Sequence, residues 1–286
     1  MFSLRPYLQG RGKCNPSGMG GFNATARFDK VNDGADSATI CGGYLVEYPR
    51  LMLEVQHISF SWGRVPLLED VSFSVAPGEI AVLAGANGAG KTTLMKVLAG
   101  VCSPSAGTVY MDGVDAFRQS LRFRRMLGYL PESASADSDM CVRKYLRYRA
   151  NLRGEMSKKI RHRVSEAMEL CGLEPYSDSF IGTLSLGLRK RVALADAVLL
   201  RPRLLVLDDL LAGLDPATRM SFGRIIGAVS RFAAVVVSGH ELDELAQWAN
   251  KFYVLQNGSI VGAKTSAGVR TVLGLKVPSP IQGGAA

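Results

Sequence analysis

Between Ile80 and Thr93 the chain reads IAVLAGANGAGKTT, an apolar run, then a glycine-rich loop, then a helix-compatible segment. Gly85, Gly90, Lys91 and Thr92 stand in the G-x-x-x-x-G-K-T spacing, which carries its chemistry when a strand leads in and a helix leads out. A strand passing through such a loop into a helix belongs to an α/β layer, with the loop at the strand's carboxyl end. Gly85, Gly88 and Gly90 let the loop, completed by Asn87 and Ala89, turn its N–H groups toward a β-phosphate. The helix opening there adds roughly half a positive charge at the same place. Lys91 offers a mobile cation to β and γ oxygens, Thr92 offers magnesium a hydroxyl, and Thr93 joins the same binding set on the first helical turn. The segment predicts a nucleotide site and is silent on which kind.

The rest of the chain sets that motif in an α/β order. Strands are expected over residues 53–60, 71–75, 80–83, 204–207, 234–237, 251–256 and 260–261, the last two joined through the hairpin signal Asn257-Gly258. Helices are expected over 90–98, 142–152, 158–171 and 189–199, and from Ala217 onward. With 286 residues, 47% hydrophobic and 21% charged, the composition is that of a globular chain, neither disordered nor a membrane bundle. Its apolar runs fall far short of the roughly 20 residues a spanning helix needs. Five cysteines, Cys14, Cys41, Cys102, Cys141 and Cys171, give neither a disulfide framework nor a zinc ribbon and suit a reducing cytosol.

Residues 1–50 hold 8 of the 31 glycines, sustain no helical or strand period, and read as disordered or loosely attached. Their basic start resembles a transit peptide, but Pro6 and the glycines spoil an amphipathic helix. Periodic sequence begins so abruptly at residue 51 that Met52 is an alternative initiator. Residues 263–286 are Gly, Pro, Ser and Ala rich and read as a flexible tail.

A buried strand, RLLVLDD, ends in Asp208 and Asp209, with Asp208 suited to the magnesium shell. Once these acids are set beside the glycine loop, residues 52–262 resemble the ATP-binding subunit of an ABC transporter, and most of all the gliding-motility and multidrug-type exporters. Leu184-Ser185-Leu186-Gly187-Leu188 resembles the family's LSGGQ signature, Gly213-Leu214-Asp215-Pro216 its D-loop, and His240 its switch histidine; Trp62 stands where the family stacks an aromatic on adenine. The resemblance implies a P-loop NTPase fold of ABC type. It has a RecA-like core, an N-terminal antiparallel β part, and a helical subdomain inserted over about residues 132–186. It also implies ATP and Mg2+ as cofactors, with Thr92, Asp208 and Glu132 at the metal and Asp209, His240 and Glu132 in catalysis. In the family, two such domains pair head to tail, each ATP lying between one subunit's P-loop and the other's signature, here Ser185 and Gly187, with the D-loop's Asp215 in the same binding set.

Three positions depart from the family pattern. Asp209 stands where Glu is usual and Leu210-Leu211 where Pro-Thr follows; a base one methylene short predicts slow but nonzero hydrolysis. Glu132, in GYLPES, replaces the usual Gln, a pattern found in exporter components. Leu186 and Leu188 replace Gly and Gln in the signature. The cations Arg189-Lys190-Arg191 that follow are expected to face solvent or a partner, because the helix dipole disfavours them at their own helix start.

The net charge of +9 concentrates between Asp115 and Arg163, where 13 lysines and arginines meet five acids. That stretch overlaps the surface on which the family receives its membrane subunit, so attraction to acidic loops or anionic headgroups stands beside a merely solvated helix face. No aromatic-interleaved motif supports nucleic acid as a partner. The expected partners are a polytopic membrane permease and a second ATP-binding subunit, identical or not, on the cytoplasmic face of a membrane. The alternatives are a soluble nucleotide-gated clamp and a slow-hydrolysing regulatory subunit.

Overall fold

The computed structural model describes four short strands within residues 1–50, then residues 52–133, 136–263, 268–270 and 274. Residues 1–50 and 51–286 are separate compact units. In the first, β1 (Leu4–Pro6), β2 (Asp29–Lys30), β3 (Ala38–Cys41) and β4 (Tyr44–Glu47) pair antiparallel in the order β1-β4-β3-β2. Residues 1–50 are expected to be disordered or loosely attached; apart from these strands the stretch lies outside the described residues. The pairing is local: β3 and β4 are short and rich in apolar residues, and Cys41 pairs with Tyr44 across the dipeptide Gly42-Gly43, a hairpin signal too short to register as a period.

The second unit opens with the hairpin of β5 (Leu53–Trp62) and β6 (Val65–Val75). Next comes β7 (Ile80–Gly85), and then β8 (Ala106–Met111) and β9 (Val114–Asp115), which extend the hairpin into an antiparallel sheet of order β6-β5-β8-β9. A six-stranded sheet contains β7 together with β10 (Leu127–Leu130), β11 (Leu204–Leu207), β12 (Ala234–Ser238), β13 (Lys251–Gln256) and β14 (Ser259–Ala263), in the order β10-β11-β12-β7-β13-β14. All its pairs are parallel except β13 with β14, where Asn257 at φ 49° and Gly258 at φ 77° make the tight turn.

The unbroken apolar runs of β7, β11 and β12 are buried at every position because both faces of the sheet are covered. Side chains alternate: Val82, Leu205, Leu207, Val235 and Val237 enter one core, while Leu83, Leu204, Val206 and Val236 enter the other. The second core is shared with the antiparallel sheet and with α1 (Lys91–Leu98), and it also holds Phe123 of α2 (Ser120–Met126). The first takes in α3 (Val142–Leu152), α4 (Ser157–Leu170), α5 (Leu186–Val198), α6 (Pro216–Ser230) and α7 (Leu242–Ala246). Each fully buried Leu or Val contributes about 1.5–3 kcal/mol, so the two layers hold the strand ends in fixed positions.

Helices α3 and α4 fall within the interval 132–186 expected for the helical insertion. They are tied to α5 through Asp196, whose carboxylate meets Arg149 at 2.9 Å and Arg153 at 3.1 Å. Within the expected flexible tail, residues 268–270 are helical, with Val269 buried and Arg270 paired with Asp243. Most of the remainder lies outside the described residues. Among the described residues, no helix is long and apolar enough to cross a membrane.

Candidate functional site

Parallel pairing brings four strand ends to one edge. Leu130 pairs with Leu207, Leu207 with Val237, and Ser238 with Leu83, so the residues that follow these strands emerge side by side. Glu132 follows β10, Asp208 and Asp209 follow β11, Gly239 and His240 follow β12, and β7 feeds the glycine loop. The result is a cleft of about 600 Å³ at the carboxyl edge, where ligand sites of open α/β sheets lie. Asn87, Gly88, Gly90, Lys91, Thr92 and Thr93 line one side, and Glu132, Asp208, Asp209 and His240 the other.

The loop's glycines answer to geometry. A Cβ on Gly85 would lie 2.6 Å from the Leu255 carbonyl oxygen of β13, and Gly90 sits at φ 99° at the N-cap of α1. The Lys91 ammonium spans the loop, donating to the carbonyls of Gly85 at 2.9 Å and Ala86 at 3.0 Å. Burial lowers its pKa, while the nearby carboxylates of Asp209, Asp208 and Glu132 oppose that shift.

Across the cleft, Asp208 is 1% exposed. Its Oδ1 accepts from the Ser238 hydroxyl at 2.6 Å and, at the limit of 3.5 Å, from the Thr92 hydroxyl. Ser238 Oγ in turn accepts the Asp209 N–H at 3.0 Å. Of the carboxylate oxygens lining the cleft, two are buried without a hydrogen-bond partner, Asp208 Oδ2 and Asp209 Oδ1. Unpaired buried carboxylate oxygens are costly, and a hydroxyl beside a carboxylate is an oxygen-donor set suited to Mg2+; the residues present fit that ion. Asp209 adopts a left-handed backbone, φ 46°. Burial raises its pKa, and Glu241 and Asp208 push the same way against His240 and Lys190.

The signature and D-loop residues lie elsewhere. Ser185 caps α5, its hydroxyl accepting from the Leu188 N–H at 3.4 Å, and Asp215 caps α6, accepting from the Thr218 N–H at 3.0 Å and the Thr218 hydroxyl at 2.6 Å. These hydrogen bonds hold the Asp215 carboxyl below its usual pKa. Thr218 also joins the two caps, since a Cβ on Gly187 would stand 3.2 Å from its methyl group. None of Ser185, Gly187 and Asp215 lines the cleft. Gly85 and Ala89 line adjoining hollows on either side of the loop. Trp62 is 67% exposed, stands edge-on to Phe60 at 5.7 Å, and is outside the cleft lining.

One sequence expectation is corrected here. Of Arg189-Lys190-Arg191, only Arg189 is exposed. Lys190 turns inward to donate to the carbonyls of Leu210 at 2.9 Å and Ala212 at 2.7 Å, and Arg191 donates to Ser221 at 2.9 Å. Carbonyls of a neighbouring loop outweigh the unfavourable dipole because they replace lost hydration directly. Sequence reasoning also passes over Ser238; its signal is the parallel register, which carries Asp208 and Ser238 to the same level once Leu207 faces Val237.

Residues 68–212 match the family model described as ABC transporter. A similar protein is the uncharacterized ABC transporter ATP-binding protein YxlF of Bacillus subtilis (strain 168), 32% identical over 73% of this chain and 69% of its own length. Another is the Nod factor export ATP-binding protein I of Paraburkholderia xenovorans (strain LB400), 30% identical over 82% of this chain and 79% of its own. Import as well as export proteins are among the relatives. A solved ATP-binding subunit of an ABC transporter superposes with a TM-score of 0.69 at 28% identity, covering 80% of this chain and 95% of that one. With half of its length matched by the family model and relatives at 30% identity or more covered over two thirds of their length, this chain belongs to the ABC transporter ATP-binding subunits, whose domains are ATPases.

Proposed function

We propose that this chain is the ATP-hydrolysing subunit of an exporter whose membrane permease is a separate chain, and that it works peripherally on the cytoplasmic face as a head-to-tail dimer. The observation that carries the reading is the division of the phosphate-binding parts. The cleft holds Lys91, Thr92, Asp208 and Asp209, whereas the helix N-terminus at Ser185 and Gly187 opens on another surface. A second copy, or a related subunit, would bring its Ser185 and Gly187 to the γ-phosphate in this cleft, with Asp215 at the seam. Closure then depends on ATP, because the phosphate supplies the differential affinity for the closed state. Trp62 would stack on the adenine.

Thr92 and Asp208, with Glu132 beside them, would hold Mg2+, which neutralises charge on the β and γ oxygens. Lys91 binds those oxygens. Asp209 takes the proton of the attacking water, and His240 at the cleft wall orients the γ-phosphate. Asp209 is one methylene shorter than the usual Glu, so its carboxylate stops short of the attacking water and hydrolysis is slow. Export is supported by Glu132 in its GYLPES context and by the Nod factor export relative.

The test is a mild-detergent pull-down of the tagged protein from native membranes, followed by mass spectrometry. A polytopic membrane protein in stoichiometric yield is the expected result. A soluble dimer without one would overturn the transport reading in favour of a nucleotide-gated clamp.

A further inference from the structure

We propose that Lys190 is a positioning residue for hydrolysis: from the signature helix α5 its ammonium clamps the carbonyls of Leu210 and Ala212, and so fixes the loop that carries Asp209. The inference rests on the reading of Asp209 as the proton acceptor and adds a residue that the motifs do not assign.

The loop after β11 is tied at its two ends, the Asp209 N–H donating to Ser238 Oγ at 3.0 Å and Arg219 donating to the Leu214 carbonyl at 2.8 Å, and Lys190 holds the stretch between them. Asp209 enters it in the left-handed region at φ 46°, a conformation that costs a non-glycine residue energy unless its surroundings impose it. Residues 210–213 form consecutive turns with only weak internal ties, Ala212 N–H to Asp209 O at 3.4 Å and Leu214 N–H to Leu211 O at 3.2 Å. Leu210 and Leu211 are buried, which seats the loop against the core. A proline at 210 would restrict one dihedral; this chain has Leu210 there. Lys190 supplies two bonds at 2.9 and 2.7 Å, each to a carbonyl within three residues of Asp209, both charge-assisted and therefore stronger than neutral bonds.

The surroundings agree. Lys190 is half-buried; burial lowers its pKa, while Asp209, Glu241 and Glu132 act in the opposite direction, so the ammonium faces the carboxylates around the cleft without lining it. Its helix begins at Ser185, five residues away, where the proposed dimer would present its cap to the other nucleotide. A shift of α5 on docking would therefore pull directly on the Asp209 loop. The clamp is a mechanical link between a subunit's signature and its own acceptor of the water proton.

The test compares steady-state ATP hydrolysis and nucleotide affinity in the full chain carrying Lys190→Met, Lys190→Arg or Asp209→Asn. A base displaced by a fraction of an ångström costs about tenfold, given about a hundredfold per ångström. Lys190→Met is expected to lower kcat about that much with KM for ATP within about twofold, and Lys190→Arg, which keeps charged donors, to recover most of the rate. An unchanged kcat in Lys190→Met, a KM that rises as kcat falls, or an Arg variant no better than the Met variant would each overturn the clamp. If Lys190→Met does not fold, Lys190→Gln takes its place, and equal rates for Gln and Arg overturn the proposal. Asp209→Asn separates the two claims: full activity in it removes the underlying reading, whereas its loss beside an unaffected Lys190→Met removes only the clamp.

Discussion

The cleft and the paired caps of α5 and α6 handle their polar atoms in opposite ways. In the cleft, two carboxylate oxygens are buried and unpaired, a lysine is partly desolvated, and an aspartate is held in a left-handed backbone. At the caps, Ser185 and Asp215 bond within three residues of themselves, and Leu186 is 44% exposed. The first region carries an electrostatic cost that a cation and a phosphate would relieve; the capping groups of the second are satisfied within their own helices. Under the proposed function, the first surface binds nucleotide and the second is presented to a partner subunit.

That contrast yields its largest effect in a complementation experiment. Lys91→Ala removes the loop's cation, and Gly187→Val places bulk at the cap against Thr218; each is expected to lower hydrolysis by about 10²–10³-fold, the scale for losing one preorganised donor. Only Lys91→Ala should abolish nucleotide binding by the isolated chain. Mixing the two inactive proteins should restore roughly a quarter of the wild-type rate, because half the dimers are mixed and each contains one intact composite site in a head-to-tail arrangement. No recovery on mixing would break the comparison at its root.

Next in size is Asp209→Glu. The added methylene carries the carboxylate toward the cleft, and turnover is expected to rise about tenfold in a steady-state assay, by the distance sensitivity of a positioned base. A wild-type rate that already equals the variant's would show that the left-handed backbone at Asp209 makes up the missing length.

The sequence made these two regions legible to different degrees. The strands Leu204–Leu207 and Lys251–Gln256 and the helix Val142–Leu152 follow the periodicity to the residue, and the whole glycine loop is readable because each position has a local reason. β8, β9, β10 and α2 were not readable to the same standard. β8 and β9 join through Asp112-Gly113, at φ 48° and 73°, a hairpin signal that passes unused. In β10, Gly128 weakens the strand pattern for a tertiary reason, since a Cβ there would stand 2.3 Å from the Ala197 carbonyl oxygen of α5. Lys190 reads as a surface charge for the same reason: its acceptors lie 20 and 22 residues away along the chain.

A smaller effect tests the cleft's internal wiring. Ser238→Ala removes the hydroxyl that donates to Asp208 and accepts from the Asp209 N–H, inside a buried site. Leaving those groups underpaired should lower stability by about 1–3 kcal/mol in denaturant unfolding without nucleotide. A neutral result would mean that water replaces the hydroxyl, and that the cleft is wetter than its burial implies.

The smallest effect falls on the caps and sharpens the contrast most. Ser185→Ala deletes an N-cap whose bond, at 3.4 Å, is long, so the stability loss should sit at the low end of the capping range, about 0.5 kcal/mol. If the hydroxyl and the helix start act on the other subunit's phosphate, as proposed, hydrolysis by the same variant should fall far more than so small a stability change explains. Unfolding and turnover measured on one preparation separate these roles. If the two losses scale together, Ser185 is a cap and nothing more, and the presented surface loses its meaning. If turnover falls alone, the side chain that matters little to its own helix matters chiefly to its neighbour's cleft.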